Sequence, residues 1–185
     1  MVEQILKQLD DGVEKSIEAL SKELAKVRTG RANPALLDGI RVDYYGTPTP
    51  LNQVASVTVS DARLILIKPW EKSLIPLIEK AVRDSLPGIN PGKDAELVRV
   101  VIPALTEERR KELSKSVQKF GEEAKIAVRH LRRSAKEELE SAKKEGLLPE
   151  DDVEQTLKKV QLAVDKGIER IDSVIAKKQA EIMEV

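Results

Sequence analysis

Three long segments of this chain repeat apolar residues at steps of three and four. The first runs from Ile5 to Val27, the second from Leu113 to Leu139 and the third from Val153 to Ile182. This spacing places the apolar residues on one face of a helix, and three such helices bury their faces by packing against one another. The pattern therefore predicts a bundle of three long helices.

Local signals indicate where these helices begin and end. We expect the first to stop near Thr29-Gly30, and the second to begin after Thr106, an N-cap residue followed by two acids. Gly146 suits the position just past the second helix, and Pro149 opens the third. The predicted apolar faces comprise Ile5, Leu9, Val13, Ile17, Leu20, Leu24 and Val27; Leu113, Val117, Phe120, Ala124, Leu131, Ala135 and Leu139; and Val153, Leu157, Val160, Val164, Ile168, Ile171, Ile175 and Ile182.

A stretch of different character separates the first two helices. Residues 40–44 alternate as in a strand, and residues 46–50 contain two prolines, which predicts a turn. Further strands are expected over 54–59, 64–68 and 97–102, with a loop over 86–92 and a short helix that is capped by Ser73 and runs through Val82. The chain is therefore predicted to be α+β, with a small α/β domain inserted into the bundle.

The expected domain division follows from these elements. The bundle comprises residues 1–29 and 106–185, and the insert comprises residues 31–103. Two short crossings near 29–31 and 103–105 join them, and two adjacent crossings suit a hinge. Gly30 and Pro103 equally suit the plain role of ending the neighbouring elements. The candidate hinge residues are Thr29, Gly30, Arg31, Pro103, Ala104 and Leu105.

A basic stripe lies in the second helix, within the sequence KIAVRHLRRSAK. Like charges at i,i+4 destabilise an isolated helix by roughly 0.2–0.5 kcal/mol per pair, so a stripe that keeps them suggests an anionic partner. Arginine suits phosphate because its planar guanidinium makes bidentate contacts. The alternative is a solvated face, with pairs such as Arg133 to Glu137 and Lys136 to Glu140. The stripe consists of Lys125, Arg129, Arg132, Arg133 and Lys136.

A second basic group, Lys26, Arg28 and Arg31, follows the first helix. Arg28 and Arg31 are further candidates for contact with a nucleic acid. Compensation of the helix dipole would explain Lys26 and Arg28 without any ligand.

Composition argues against catalysis. The chain has 32 basic and 32 acidic residues, so binding to a polyanion requires local asymmetry of charge. It has no cysteine and a single histidine, His130, without a recognisable nucleophile motif. The stretch from Gly88 to Lys93 is one residue too short for a phosphate-binding loop. We therefore expect no enzyme activity, no catalytic residue, no metal and no cofactor.

Two further expectations concern packing and location. Tyr44, Tyr45 and Trp70 are scarce aromatic residues in the insert, and their alternatives are a binding role and packing. We expect packing in the core, because a small domain needs large side chains to close it. The chain shows no signal or transit peptide and no apolar run near the roughly 20 residues that span a membrane. It is expected to be soluble and cytoplasmic.

Four sequence blocks resemble the bacterial ribosome recycling factor family, in a match that runs nearly end to end. The blocks are VRTGRANPALL from Val27, VDYYGTPTPLN from Val42, LTEERR from Leu105 and IAVRHLRR from Ile126. Three departures stand out: His130 replaces an expected asparagine, Leu86-Pro87 replaces Asp-Leu, and residues 161–165 read QLAVD instead of the usual QKxTD. None of them removes an arginine of the basic stripe.

The resemblance implies an L-shaped molecule, with a three-helix bundle and a small three-layer or barrel-like domain joined by a two-stranded hinge. It implies a translation factor that separates post-termination ribosomes into subunits with elongation factor G, which moves the small domain. Arg129, Arg132 and Arg133 would meet the backbone of large-subunit ribosomal RNA. The expected partners of this monomer are the 70S ribosome, its large-subunit RNA and elongation factor G, with no membrane. The alternative is a helical adaptor or coiled-coil protein that does not bind RNA.

Overall fold

The computed structural model describes residues 1–184, which form two compact units. The helical unit contains Met1–Val27 and the chain from Lys111 onward, and the inserted unit contains Arg28–Arg110. The helices are α1 (Val2–Ala25), α2 (Leu51–Val54), α3 (Ile75–Ser85), α4 (Glu107–Lys144) and α5 (Glu150–Met183). The strands are β1 (Arg41–Tyr44), β2 (Thr47–Pro50), β3 (Ala55–Asp61), β4 (Leu64–Pro69), β5 (Gly92–Lys93) and β6 (Val98–Val101). The predicted α+β class, with long helices and a small antiparallel sheet, is confirmed.

The core of the helical unit consists of the predicted apolar faces of α1, α4 and α5. All of the predicted residues are buried or packed against the buried cluster. Val128, which the predicted face of α4 omitted, is fully buried. These residues recur at helical spacing, so each helix contributes one apolar stripe to a shared core.

Helix ends follow the local signals in three cases of four, including Pro149, which directly precedes α5. The Thr106 hydroxyl accepts a hydrogen bond from the amide of Arg109 at 3.2 Å, as expected of an N-cap. Gly146 has a φ of 71° just past α4, as a C′ glycine does. The first helix, however, ends at Ala25 rather than near Thr29, because the amides of Lys26 and Val27 bond to carbonyls three residues back and tighten the last turn.

Each long helix carries one glycine that receives a side chain from a neighbouring helix. A Cβ built on any of the three would approach that side chain closer than real Cβ atoms do. The three pairs are Gly12 with Leu131 at 2.8 Å, Gly167 with Val13 at 2.8 Å, and Gly121 with Ile175 at 1.8 Å. Every pair of helices is thus brought close by one glycine.

The inserted unit contains an antiparallel sheet of strand order β3-β4-β6-β5 and a separate β1–β2 hairpin. Helix α3 buries Ile75, Ile78 and Val82 in the core of this unit. The other fully buried residues in that core are aliphatic too, and include Val42, Ile65, Ile67, Val98 and Val100. The predicted strands over 54–59, 64–68 and 97–102 correspond to β3, β4 and β6.

Two local predictions for the insert were wrong. Residues 47–50 form β2 rather than a turn, which is confined to Tyr45-Gly46. Pro48 and Pro50 lie opposite Asp43 and Arg41, so both fall on the same alternate set of positions in the ladder. Residue pairs in an antiparallel ladder alternate between hydrogen-bonded and non-hydrogen-bonded. Both prolines can therefore occupy positions of the kind whose amides make no ladder hydrogen bond. Ser73 does not cap α3, which starts at Ile75 after a 3₁₀ turn at Lys72–Leu74.

The aromatic residues also differ from expectation. Trp70 is 68% exposed and Tyr45 is 80% exposed, while Tyr44 packs against the core. Aliphatic side chains fill that core instead. The hydroxyls of both tyrosines donate to the carboxylate of Glu71 at 3.0 Å, and these hydrogen bonds raise the pKa of each tyrosine.

Candidate nucleic-acid interface

Four cations of the basic stripe line one open groove between α4 and α5. The groove has a volume of about 690 Å³, and none of its lining residues is acidic. Its lining residues are Ile126, Arg129, His130, Arg132, Arg133, Lys136, Leu157, Val160 and Gln161. Converging cations produce a positive local potential, although the whole chain has a formal net charge of zero.

Lys125, the first cation of the stripe, is engaged inside the helical unit. Its ammonium lies 2.5 Å from Asp172 on α5 and 3.5 Å from Glu122, and its side chain is only 13% exposed. The hydrogen bond to Asp172 raises the pKa of Lys125. Lys125 therefore joins α4 to α5 beside the groove and does not line it.

Two ion pairs anticipated for a solvated face are present. Arg133 Nε lies 3.0 Å from Glu137, and Lys136 Nζ lies 3.7 Å from Glu140. All four side chains are at least half exposed. Exposed pairs of this kind contribute little to stability, so a polyanion can replace the carboxylates at small cost.

Arg132 and Arg129 differ in how they are held. Arg132 Nη1 donates to Gln161 Oε1 on α5 at 3.4 Å, and Gln161 Nε2 donates in turn to Asp165 at 2.7 Å. This chain of bonds orients one guanidinium across the groove. Among the described residues, Arg129 has neither a hydrogen bond nor an ion pair from its side chain, so its donors are available to a ligand.

Sequence reasoning missed Gln161 as part of this site. Residues four apart on a helix can bond along it, as Gln161 and Asp165 do. Nothing in the sequence indicated that the pair would reach Arg132 on another helix.

In the second basic group, Arg28 and Arg31 belong to the inserted unit, whereas Lys26 and the whole groove belong to the helical unit. Arg28 is half-buried, and its Nη2 donates to the carbonyl of Pro87 at 3.4 Å. Arg31 is exposed. The role of both arginines in binding nucleic acid stays a prediction.

The candidate hinge residues lie outside helices and strands. Residues 29–31 lie between α1 and a 3₁₀ turn at Pro34–Leu37, and residues 103–105 lie between β6 and α4. Gly30 has a φ of 77°, and a Cβ there would lie 3.4 Å from Leu105 Cγ, so the two crossings touch.

Residues 1–184 contain no cluster of three metal-ligating side chains. They also contain no helix that is both long and apolar enough to cross a membrane. His130 is an exposed residue of the groove.

Known proteins resemble this chain over its whole length. The family model described as ribosome recycling factor matches residues 20–183. The ribosome-recycling factor of Anaeromyxobacter sp. (strain K) is 55% identical over 185 residues, which is 100% of this chain and 98% of the relative. That of Sorangium cellulosum (strain So ce56) is 52% identical, with both chains covered completely.

Solved structures agree with the sequence relatives. A solution structure of the ribosome recycling factor has a TM-score of 0.81 and 38% identity, and the match covers 100% of this chain and 98% of the other. Models of the T. thermophilus ribosome recycling factor and E. coli elongation factor G bound to the E. coli post-termination complex include a chain with a TM-score of 0.67 and 39% identity, with complete coverage of both. Because the family model matches residues 20–183 and the relatives are 52–55% identical over the full chain, the chain belongs to the ribosome recycling factor family.

Proposed function

We propose that this chain recycles ribosomes after termination, by separating the subunits of the 70S ribosome together with elongation factor G. The observation that carries the proposal is 55% identity over the full chain to a ribosome-recycling factor. A structural relative is placed on a post-termination complex with elongation factor G. The groove between α4 and α5 adds a surface suited to RNA, which we propose is that of the large subunit.

The proposed action is mechanical. Arginine contacts to phosphates position the long helical unit on RNA without reading its sequence, while energy for separating the subunits comes from the GTPase. The groove offers Arg129 with free donors and Arg132 with a fixed orientation. Binding of this kind releases counterions, so it weakens as salt rises.

Co-sedimentation with large ribosomal subunits across a salt series tests the proposal. We expect the logarithm of the association constant to fall linearly with the logarithm of the salt concentration, with a slope of about −0.7 to −0.9 per phosphate contact. Adding elongation factor G and GTP to post-termination 70S ribosomes should then yield free subunits. If the protein neither sediments with ribosomes nor splits them, and instead assembles with other helices, the adaptor alternative is favoured.

We further propose that residues 29–31 and 103–105, which lie just inside the inserted unit, form the hinge by which that unit moves relative to the helical unit. Gly30 has a positive φ and lies against Leu105 on the other crossing. A rotation of one crossing would therefore move the other as well, which supports the hinge. A hinge needs a few non-helical residues that absorb changes in φ and ψ, and both crossings consist of such residues.

Replacing Gly30 with alanine is expected to slow subunit separation more than it weakens binding to the ribosome. A non-glycine residue at a φ of 77° is strained, and the new Cβ would add a van der Waals contact with Leu105 on the other crossing. Gly39→Ala is the matched control, since Gly39 has a φ of 81° and nothing within 4 Å of the added Cβ. Both variants should lose about 1–2 kcal/mol of stability, because each places a side chain at a positive φ. Equal splitting rates in the two variants would contradict the hinge.

A further inference from the structure

The groove between α4 and α5 combines cations with an aliphatic surface. Ile126 stands at its rim and is 61% exposed. Leu157 on α5 is half-buried and lines the same groove. Binding of phosphates alone would require only the arginines and Lys136. An exposed isoleucine beside them therefore calls for a ligand with an apolar face as well as negative charge.

We propose that the groove receives an unpaired nucleotide of RNA, with its base against Ile126 and Leu157 and its phosphate on Arg129 and Arg132. This inference rests on the proposed function and names the kind of RNA element that the groove takes. A base supplies the apolar face, and its own phosphate supplies the charge.

The groove's dimensions and donors suit such a ligand. Its volume of about 690 Å³ lies within the range of roughly 300–1,000 Å³ typical of pockets for small molecules. Paired RNA hides its base faces by stacking, whereas bases in loops and bulges expose a face and an edge. Gln161 and His130 line the groove and offer polar groups to such an edge.

Charge favours RNA over an acidic peptide as the occupant. The groove's cations are mainly arginines, whose planar guanidinium makes bidentate contacts with phosphate. Arg132 is already oriented by Gln161, and so presents its remaining donors in a fixed direction. An acidic peptide satisfies the charges but has no planar apolar face adjoining each charge.

Fluorescence titration of the full-length protein with two RNA hairpins tests the proposal. One hairpin has a single bulged 2-aminopurine nucleotide, and its counterpart has 2-aminopurine in a fully paired stem. We expect the bulged hairpin to bind roughly fivefold to tenfold more tightly than the paired one. This gain is near the low end of that expected for one base stacked on a protein side chain, because the surface here is aliphatic. The bulged 2-aminopurine should also change its fluorescence on binding.

Two matched variants assign the preference to the groove. Ile126→Gln removes the aliphatic rim and should abolish the preference for the bulge, so that the two hairpins bind with equal affinity. Leu162→Gln alters another exposed aliphatic residue, 56% exposed and lining the α1/α5 groove, and should keep the preference. Both positions are exposed, so both variants are expected to fold, which circular dichroism checks.

The outcomes separate this inference from the proposed function. Equal affinity of the parent for the two hairpins overturns the nucleotide pocket alone, as does an equal loss in the two variants. Competition by poly-glutamate that depends on Ile126 also overturns it, in favour of an acidic peptide. Failure of the parent to bind either hairpin or ribosomal subunits overturns the proposed function as well.

Discussion

Arg129→Glu/Arg132→Glu is expected to weaken binding to the large ribosomal subunit at least about 100-fold, since each hydrogen bond to a charged group contributes about 1.5–3 kcal/mol. Arg129 has no side-chain partner among the described residues, and Arg132 bonds only to the neutral amide of Gln161. Both guanidiniums are therefore available to phosphates. The slope of affinity against salt should also become shallower by about one for each phosphate that the variant no longer neutralises. Sedimentation with subunits at several salt concentrations measures both quantities.

Lys115→Glu/Lys119→Glu is the control for this pair. The two lysines are exposed on the same helix, and their reversal changes the net charge by the same amount. If the groove is the contact, the control keeps most of its affinity and its salt slope. Equal losses in the two double variants would show that overall charge, rather than the groove, governs binding.

Gly121→Ala is expected to destabilise the protein by about 1–3 kcal/mol, as overpacked cores do, although alanine by itself favours a helix over glycine by about 1 kcal/mol. The new Cβ would lie 1.8 Å from Ile175 Cδ1 and 2.6 Å from Ile175 Cγ1. Rotation of the terminal methyl relieves only the first contact. The second requires Ile175 to change its χ1 angle or the helices to separate. Denaturant unfolding measures the loss.

The effect of Gly121→Ala on stability should change from destabilising to stabilising when Ile175 is shortened. Ile175→Ala removes both of the close atoms and leaves Cβ, which would lie 3.9 Å from the new methyl group. By itself Ile175→Ala should cost about 2–5 kcal/mol, because a buried isoleucine leaves a cavity. In that background, Gly121→Ala fills part of the space and should stabilise the protein by about 1 kcal/mol through helix propensity. Additive losses in the double variant would mean that the two residues do not contact each other.

Helical periodicity predicted most of the helical unit because burial there repeats along each helix. Val13 and Val164, for example, are buried, as their helical spacing on an apolar face predicted. Caps such as Thr106 and Gly146 act on amides a few residues away, so their effect is also visible in sequence. The hairpin strand at 47–50 was missed because its prolines are tolerated only through their register with β1.

The candidate site was partly predictable for the same reason. Residues three and four apart on a helix share a face, so the sequence indicated that Arg129, Arg132 and Lys136 would lie together. It also indicated the possible pair of Arg133 with Glu137, which the structure contains. The sequence could not tell that Lys125 would be engaged by Asp172, because that partner belongs to another helix.

The sequence by itself determined which faces of the three long helices are apolar, where three of their ends lie and which side of α4 carries the cations. Each of these depends on residues within a few positions of one another. The tertiary structure alone decided that α5 supplies Gln161 to Arg132 and Leu157 to the groove. It also decided that Ile175 needs a glycine opposite it. Contacts between helices depend on their rotation and separation, which no spacing within one helix specifies.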